Sequence, residues 1–141
     1  MVMAGEGPCR LRLERVTREN SDLVRLVGFR PDVRPVLAAA DMFVQTSARE
    51  GLPYALLEAM AMGLPAVVLD DPGSVEAVGD AGDVVPAGAS GPLIDALAAL
   101  GQDTGRRREL GTRARERVAS RYLVTRMVER TKAVYVAALE E

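Results

Sequence analysis

Histidine and tryptophan are absent from this chain of 141 residues, and cysteine and lysine occur once each. Without histidine, imidazole acid–base chemistry and the commonest zinc sites are unavailable within the chain. A single thiol, Cys9, excludes an internal disulfide and fits a reducing compartment. Charge of either sign is not in excess: the formal net charge of −2 gives no argument for nucleic acid or for an anionic membrane surface. The opening MVMAGEGPCR lacks the basic-then-apolar order of a secretory signal. The longest stretch poor in charge, Leu52–Leu69, is cut by Pro53, Gly63 and Pro65 into pieces too short for a membrane helix. What is present, 48% hydrophobic and 27% charged residues at a length that can bury a real core, indicates one soluble globular domain.

Short runs rich in Val, Leu and Phe alternate with helical patterns. MVMA, VRLVGF, MFVQTS, AVVLDD and DVVPA read as strands. Helices are predicted over Pro8–Asn20, Pro31–Ala40, Pro53–Met62 and Ser74–Val78, then over Gly91–Leu100, Thr104–Tyr122 and Val124–Leu139 with no strands between them. Strands separated by helices favour parallel pairing, because each crossover returns the chain to the same end of the sheet. The class is α/β, a doubly wound Rossmann-like parallel sheet flanked by helices. No repeat, low-complexity tract or linker marks a boundary, so residues 1–141 are taken as one domain.

Arg106, Arg107, Arg108, Arg113, Arg115, Arg117 and Arg121 form one basic cluster. Glu109 and Glu116 are interleaved with it, Leu110, Ala114 and Val118 form an apolar stripe at helical spacing, and no aromatic residue intervenes. A solvated helix face is favoured over a nucleic-acid patch.

The chemistry concentrates in EGLPYALLEAMAMGLPAVVLDD, Glu50–Asp71, where Glu58 is the single charge between Glu50 and Asp70. Pro53 suits the first position of a helix, and Gly63 with Pro65 ends it. Leu56, Leu57, Met60 and Leu64 share one side, alanines fill much of the rest, and the helix is expected to be buried nearly all round. The near neighbours of Glu58 are Tyr54, Ala55, Ala61 and Met62, none of which can neutralise it. Either a ligand or a distant arginine satisfies this carboxylate, or it projects through a narrow solvated strip; physics alone leaves these open. The loop SAREGLP joins a strand end to a helix start, where parallel sheets bind ligands and where the free amides of Tyr54 and Ala55 suit phosphate. Asp70-Asp71 before Pro72-Gly73 reads as a polar turn.

With its E-x7-E spacing from Glu50 to Glu58, SAREGLPYALLEAMAMGLPAVV resembles the donor-site signature of the retaining glycosyltransferases of family four, enzymes with two Rossmann-like domains (the GT-B fold). MAGEGP is similar to that family's GxGP strand end, LVGF to its following strand and glycine, and PGSVEAV to its GGxxE segment, in the same order along the chain. The resemblance implies that Glu58 hydrogen-bonds the ribose hydroxyls of a nucleotide-sugar. It implies that Glu50 contacts the transferred sugar and stabilises oxocarbenium-like charge. It also implies that the backbone of Gly51, Leu52, Pro53, Tyr54 and Ala55 lines the sugar and diphosphate, with Pro53 where many members carry glycine. Gly28 and Arg30 correspond to the loop beside the base, with Gly5 and Gly7 on its floor; for Arg30 a plain surface arginine is an equal alternative.

The family's upstream strand, its basic diphosphate clamp and its acceptor domain have no counterpart in this sequence, whose only lysine is Lys132. The expectation is therefore an N-terminally truncated donor-binding domain, inactive alone, whose acceptor domain comes from elsewhere, such as another chain. The implied chemistry is transfer from a nucleotide-sugar with retention, independent of metal and of any cofactor. The implied location is cytoplasmic, at most peripheral to the inner membrane face. In the family's sheet the missing strand lies between MVMA and MFVQTS. These two strands are then expected to close on each other, borrow a strand or remain loose, and Val128, Val134, Tyr135 and Leu139 of the last helix to lack a covering surface, so self-association or low stability is expected. The competing reading is a non-catalytic nucleotide-binding or interaction module. A receiver domain is discounted because Lys132 lies in the last helix, and nucleotide-sugar epimerases, the nearest rival enzymes, rely on histidine.

Overall fold

The computed structural model describes residues 1–140. Strands and helices alternate strictly through the first ten elements, in two compact units divided after Ala39. The first unit contains β1 (Val2–Ala4), α1 (Arg10–Arg18), β2 (Arg25–Gly28) and α2 (Arg34–Ala38). The second contains β3 (Phe43–Gln45), α3 (Tyr54–Ala61), β4 (Ala66–Leu69), α4 (Pro72–Val78) and β5 (Gly82–Val85), then α5 (Ser90–Gln102), α6 (Thr104–Arg121) and α7 (Val124–Leu139). Each strand and helix expected from the sequence is present, with ends that differ by a few residues.

Every ladder is parallel, as the strand–helix spacing requires. The hydrogen bonds form a two-stranded sheet, β1-β2, and a three-stranded sheet, β3-β4-β5. Val2 lies opposite Arg25 in the first, and Ala66 lies between Phe43 and Gly82 in the second.

The central strand β4 explains the core of the second unit. Its residues alternate between two faces, and Ala66, Val67 and Val68 are all fully buried, so both faces must be covered. Ala66 and Val68 pack with Leu56, Leu57 and Met60 of α3, Ala77 and Val78 of α4, and Ala114 of α6. Val67 packs on the other side with Val85, Leu100 and Leu110, beside Leu93, Ala96 and Leu97 of α5. This is the doubly wound arrangement, built around a strand with no polar residue.

The arginines of α6 do structural work within the second unit. Arg115 donates to the Met62 carbonyl at 3.1 Å, where α3 ends. Arg117 donates to the carbonyls of Ala77 and Glu76 at 2.8 and 2.7 Å, where α4 ends. Arg107 donates to those of Leu100 and Gly101 at 2.8 and 2.6 Å, where α5 ends. The last carbonyls of a helix have no partner of their own and carry its negative dipole end, so a guanidinium satisfies both needs. Gly63, at φ 78°, turns the chain out of α3, and a Cβ on Gly111 would overlap its carbonyl, so α6 approaches that turn at a glycine.

Candidate functional site

The loop between β3 and α3 carries Glu50, and α3 carries Glu58, so both glutamates lie beyond the carboxyl end of a parallel strand. Pro53 is the N-cap of α3, at φ −78° and ψ 93°, and Tyr54 is the first helical residue. This shifts the expected start by one residue, because the extended ψ of Pro53 lies outside the helical region. The first intrahelical bond runs from Leu57 N–H to the Pro53 carbonyl at 3.1 Å. The amides of Tyr54, Ala55 and Leu56 therefore precede the helical ladder, at its positive dipole end.

Leu56, Leu57, Ala59 and Met60 of α3 are buried, whereas Tyr54, Ala55, Glu58 and Ala61 are exposed. The expectation of a helix buried nearly all round is corrected. Alanines are small enough to stand at either a core or a surface position, and here Ala55 and Ala61 border an open strip. Glu58 stands exposed in that strip, and no arginine of the described residues reaches it.

Glu50 is half-buried, while Gly51 and Leu52 are exposed. Its backbone N–H donates to Asp71 Oδ1 at 2.8 Å. Asp71 is only 1% exposed and is the N-cap of α4, with Oδ2 accepting the Ser74 N–H at 2.9 Å. Hydrogen bonding from the Ser74 side chain, then from the Glu50 amide, with smaller help from the Ser74 and Gly73 amides, outweighs burial. The Asp71 carboxyl is held below the usual carboxylate range. Asp70-Asp71 is therefore no simple turn: Pro72-Gly73 opens a helix because Asp71 caps it and Pro72 supplies the φ a helix needs. Asp followed by Pro, with an amide acceptor reaching residue 74, is a helix-start signature that the sequence carried and that would have found this cap.

In the first unit the Gly5 N–H donates to the Gly28 carbonyl at 2.9 Å, which brings together two of the glycines singled out in the sequence. Gly28 has φ 70°, and a Cβ there would press on the Glu6 carboxylate, which is paired with Arg10. A groove of 240 Å³ lies beside them, lined in part by Gly5, Glu6, Gly7 and Arg10. Arg30 is exposed.

Open parallel α/β sheets bind ligands beyond the carboxyl ends of their strands, and here two carboxylates and a helix N-terminus stand beyond one strand end. Sucrose-phosphate synthase from Thermosynechococcus elongatus superposes with a TM-score of 0.87 at 25% identity, over 99% of this chain and 38% of that one. Alr3699/HepE from Anabaena, in complex with UDP and glucose, superposes at 0.82 and 22% identity, over 97% of this chain and 40% of that one. The N-acetyl-alpha-D-glucosaminyl L-malate synthase of Bacillus anthracis is 28% identical over the whole of this chain, which spans 38% of that protein. The sequence profile described as glycosyl transferases group 1 matches residues 1–103, and the chain belongs to that family. It spans about two fifths of the length of these relatives.

Proposed function

We propose that the chain binds the donor of a sugar-transfer reaction, a nucleotide-sugar, and that in a complete enzyme the sugar is transferred with retention and without a metal. The observation that carries this reading is the open strip of α3. Its one carboxylate, Glu58, faces solvent and no side chain of the described residues pairs with it, and it stands one and a half turns from a helix N-terminus with free amides. Glu58 accepts hydrogen bonds from vicinal ribose hydroxyls. The amides of Tyr54 and Ala55, with the backbone of Gly51 and Leu52, receive the diphosphate, at a helix end that favours anions. Glu50 lies on the loop side of that end and faces the transferred sugar, where a carboxylate stabilises developing positive charge. The Anabaena protein bound to UDP and glucose supports the ligand class.

Calorimetric titration with UDP tests the reading. Glu58→Gln keeps the shape of the side chain and removes its charge. Affinity is expected to fall by about 1.5–3 kcal/mol, with unfolding unchanged because the group is exposed. Equal affinity of variant and parent would remove the ribose assignment. The chain alone is expected to bind and not to transfer; transfer by the purified chain from UDP-glucose would show a catalytic apparatus other than this one.

A further inference from the structure

Glu50 occupies a loop with no strand or helix of its own, and a group that must face one atom of a sugar needs its backbone fixed. Three observations show what fixes it. The Glu50 N–H is received by a carboxylate oxygen of Asp71, 21 residues further along the chain, at 2.8 Å. The other oxygen of the same carboxylate holds the first turn of α4 through Ser74, whose hydroxyl accepts from Gln45 Nε2 at the end of β3, at 3.2 Å. And a Cβ on Gly73 would overlap the carbonyl oxygens of both Glu50 and Gly51, so the loop lies directly on the start of α4.

We propose that Asp71 is the positioning residue for Glu50: buried and anchored on α4, it clamps the loop backbone and, together with the space left by Gly73, sets where the Glu50 carboxylate stands over the donor sugar. The proposal rests on the reading of Glu50 as the sugar-facing group. A helix cap alone would need one carboxylate oxygen; here the second is spent on the loop. Gln45, 8% exposed, ties the strand end to the same point, so β3, the loop and α4 meet in one buried polar cluster.

The test uses the whole chain with UDP and UDP-glucose as probes, and Asp71→Ala, Asp71→Asn and Gly73→Ala as variants. Val78→Ala, in the core of the same unit, serves as a control that loses stability without touching the loop. Two quantities are read: amide exchange at Glu50, and the ratio of the two affinities, which isolates what the sugar adds. In Asp71→Ala, Glu50 exchange is expected to quicken by about tenfold or more, and the affinity ratio to approach one while UDP affinity holds. Gly73→Ala is expected to lower the same ratio, Asp71→Asn to restore part of it through its remaining acceptor, and Val78→Ala to leave it intact. Glu50 exchange unchanged in both Asp71 variants, or a ratio that survives Asp71→Ala, would overturn the proposal. If the parent chain binds neither probe, the donor reading fails, and Glu50 exchange still decides whether Asp71 holds the loop.

Discussion

Residues 1–39 and the unit that begins at Ala40 are written in the same pattern of short Val/Leu strands and intervening helices, yet only the second has an interior. Among the described residues, every buried side chain lies at or after Gln45. In the first unit Leu11 is 80% exposed and Leu23 67%, and neither α1 nor α2 buries a residue. The difference is one of layers. Strand β4 has a strand on either side and helices on both faces, so its apolar residues leave water entirely. A two-stranded sheet has two edges and no central strand, and a unit of about 40 residues rarely closes a core by itself. An apolar pattern states what a segment can bury, and the number of covered faces decides how much is buried.

The largest effect should separate the two units. Leu56→Ala removes a fully buried side chain between α3 and β4 and is expected to cost about 2–5 kcal/mol. Leu26→Ala in β2, only partly buried, should cost less than about 1 kcal/mol. Urea unfolding followed at probes in each unit reads both, and equal costs would erase the contrast.

Next in size is the arginine that caps α4. Arg117→Ala removes the donor to the Ala77 carbonyl and leaves that of Glu76 with the Tyr122 hydroxyl alone, and should destabilise the second unit by about 1.5–3 kcal/mol. Arg108→Ala, at an exposed position of the same cluster, should stay within about 0.5 kcal/mol. Thermal melts of the pair distinguish a structural arginine from a surface one.

Acid should find the Asp71 cluster before it finds the apolar core. Because the folded-state pKa of Asp71 is depressed, its contribution is fully present above the ordinary aspartate value and is lost as pH falls through the lower folded value. Melting temperature measured downward from neutral pH should fall through that window, and Asp71→Asn should flatten that part of the profile. A parallel profile in the variant would assign the acid sensitivity to other carboxylates.

The smallest change in stability, with the clearest change in behaviour, belongs to α7. None of its residues is buried, and Val134, Tyr135 and Leu139 are 70, 69 and 86% exposed. Exposed apolar rows of this kind favour association. Light scattering should show self-association of the chain at tens of micromolar, and Val128→Glu with Tyr135→Glu should abolish it while shifting stability by no more than about 0.5 kcal/mol. A parent chain that stays a monomer would remove association from the reading.

The sequence by itself determined the element order, the parallel pairing and the inward side of α3. These follow from periods of two and 3.6 residues, which are local and need no partner to be read. It also carried the E-x7-E spacing between Glu50 and Glu58, which is a count of residues along the chain. Tertiary structure alone decided what surrounds each charge. A helical wheel gives the angle of Glu58 and not whether anything packs at that angle, so its exposure depended on where α4, α6 and β4 lie. Arg107, Arg115 and Arg117 looked like a solvated face because their acceptors are backbone carbonyls up to 53 residues away, and a carbonyl leaves no mark in the sequence. Asp71 likewise gains its role from an amide in another loop. Long-range hydrogen bonds to backbone have no letter code, which is why the spacing of Glu50 and Glu58 could be read from the chain and the bond from the Glu50 amide to Asp71 could not.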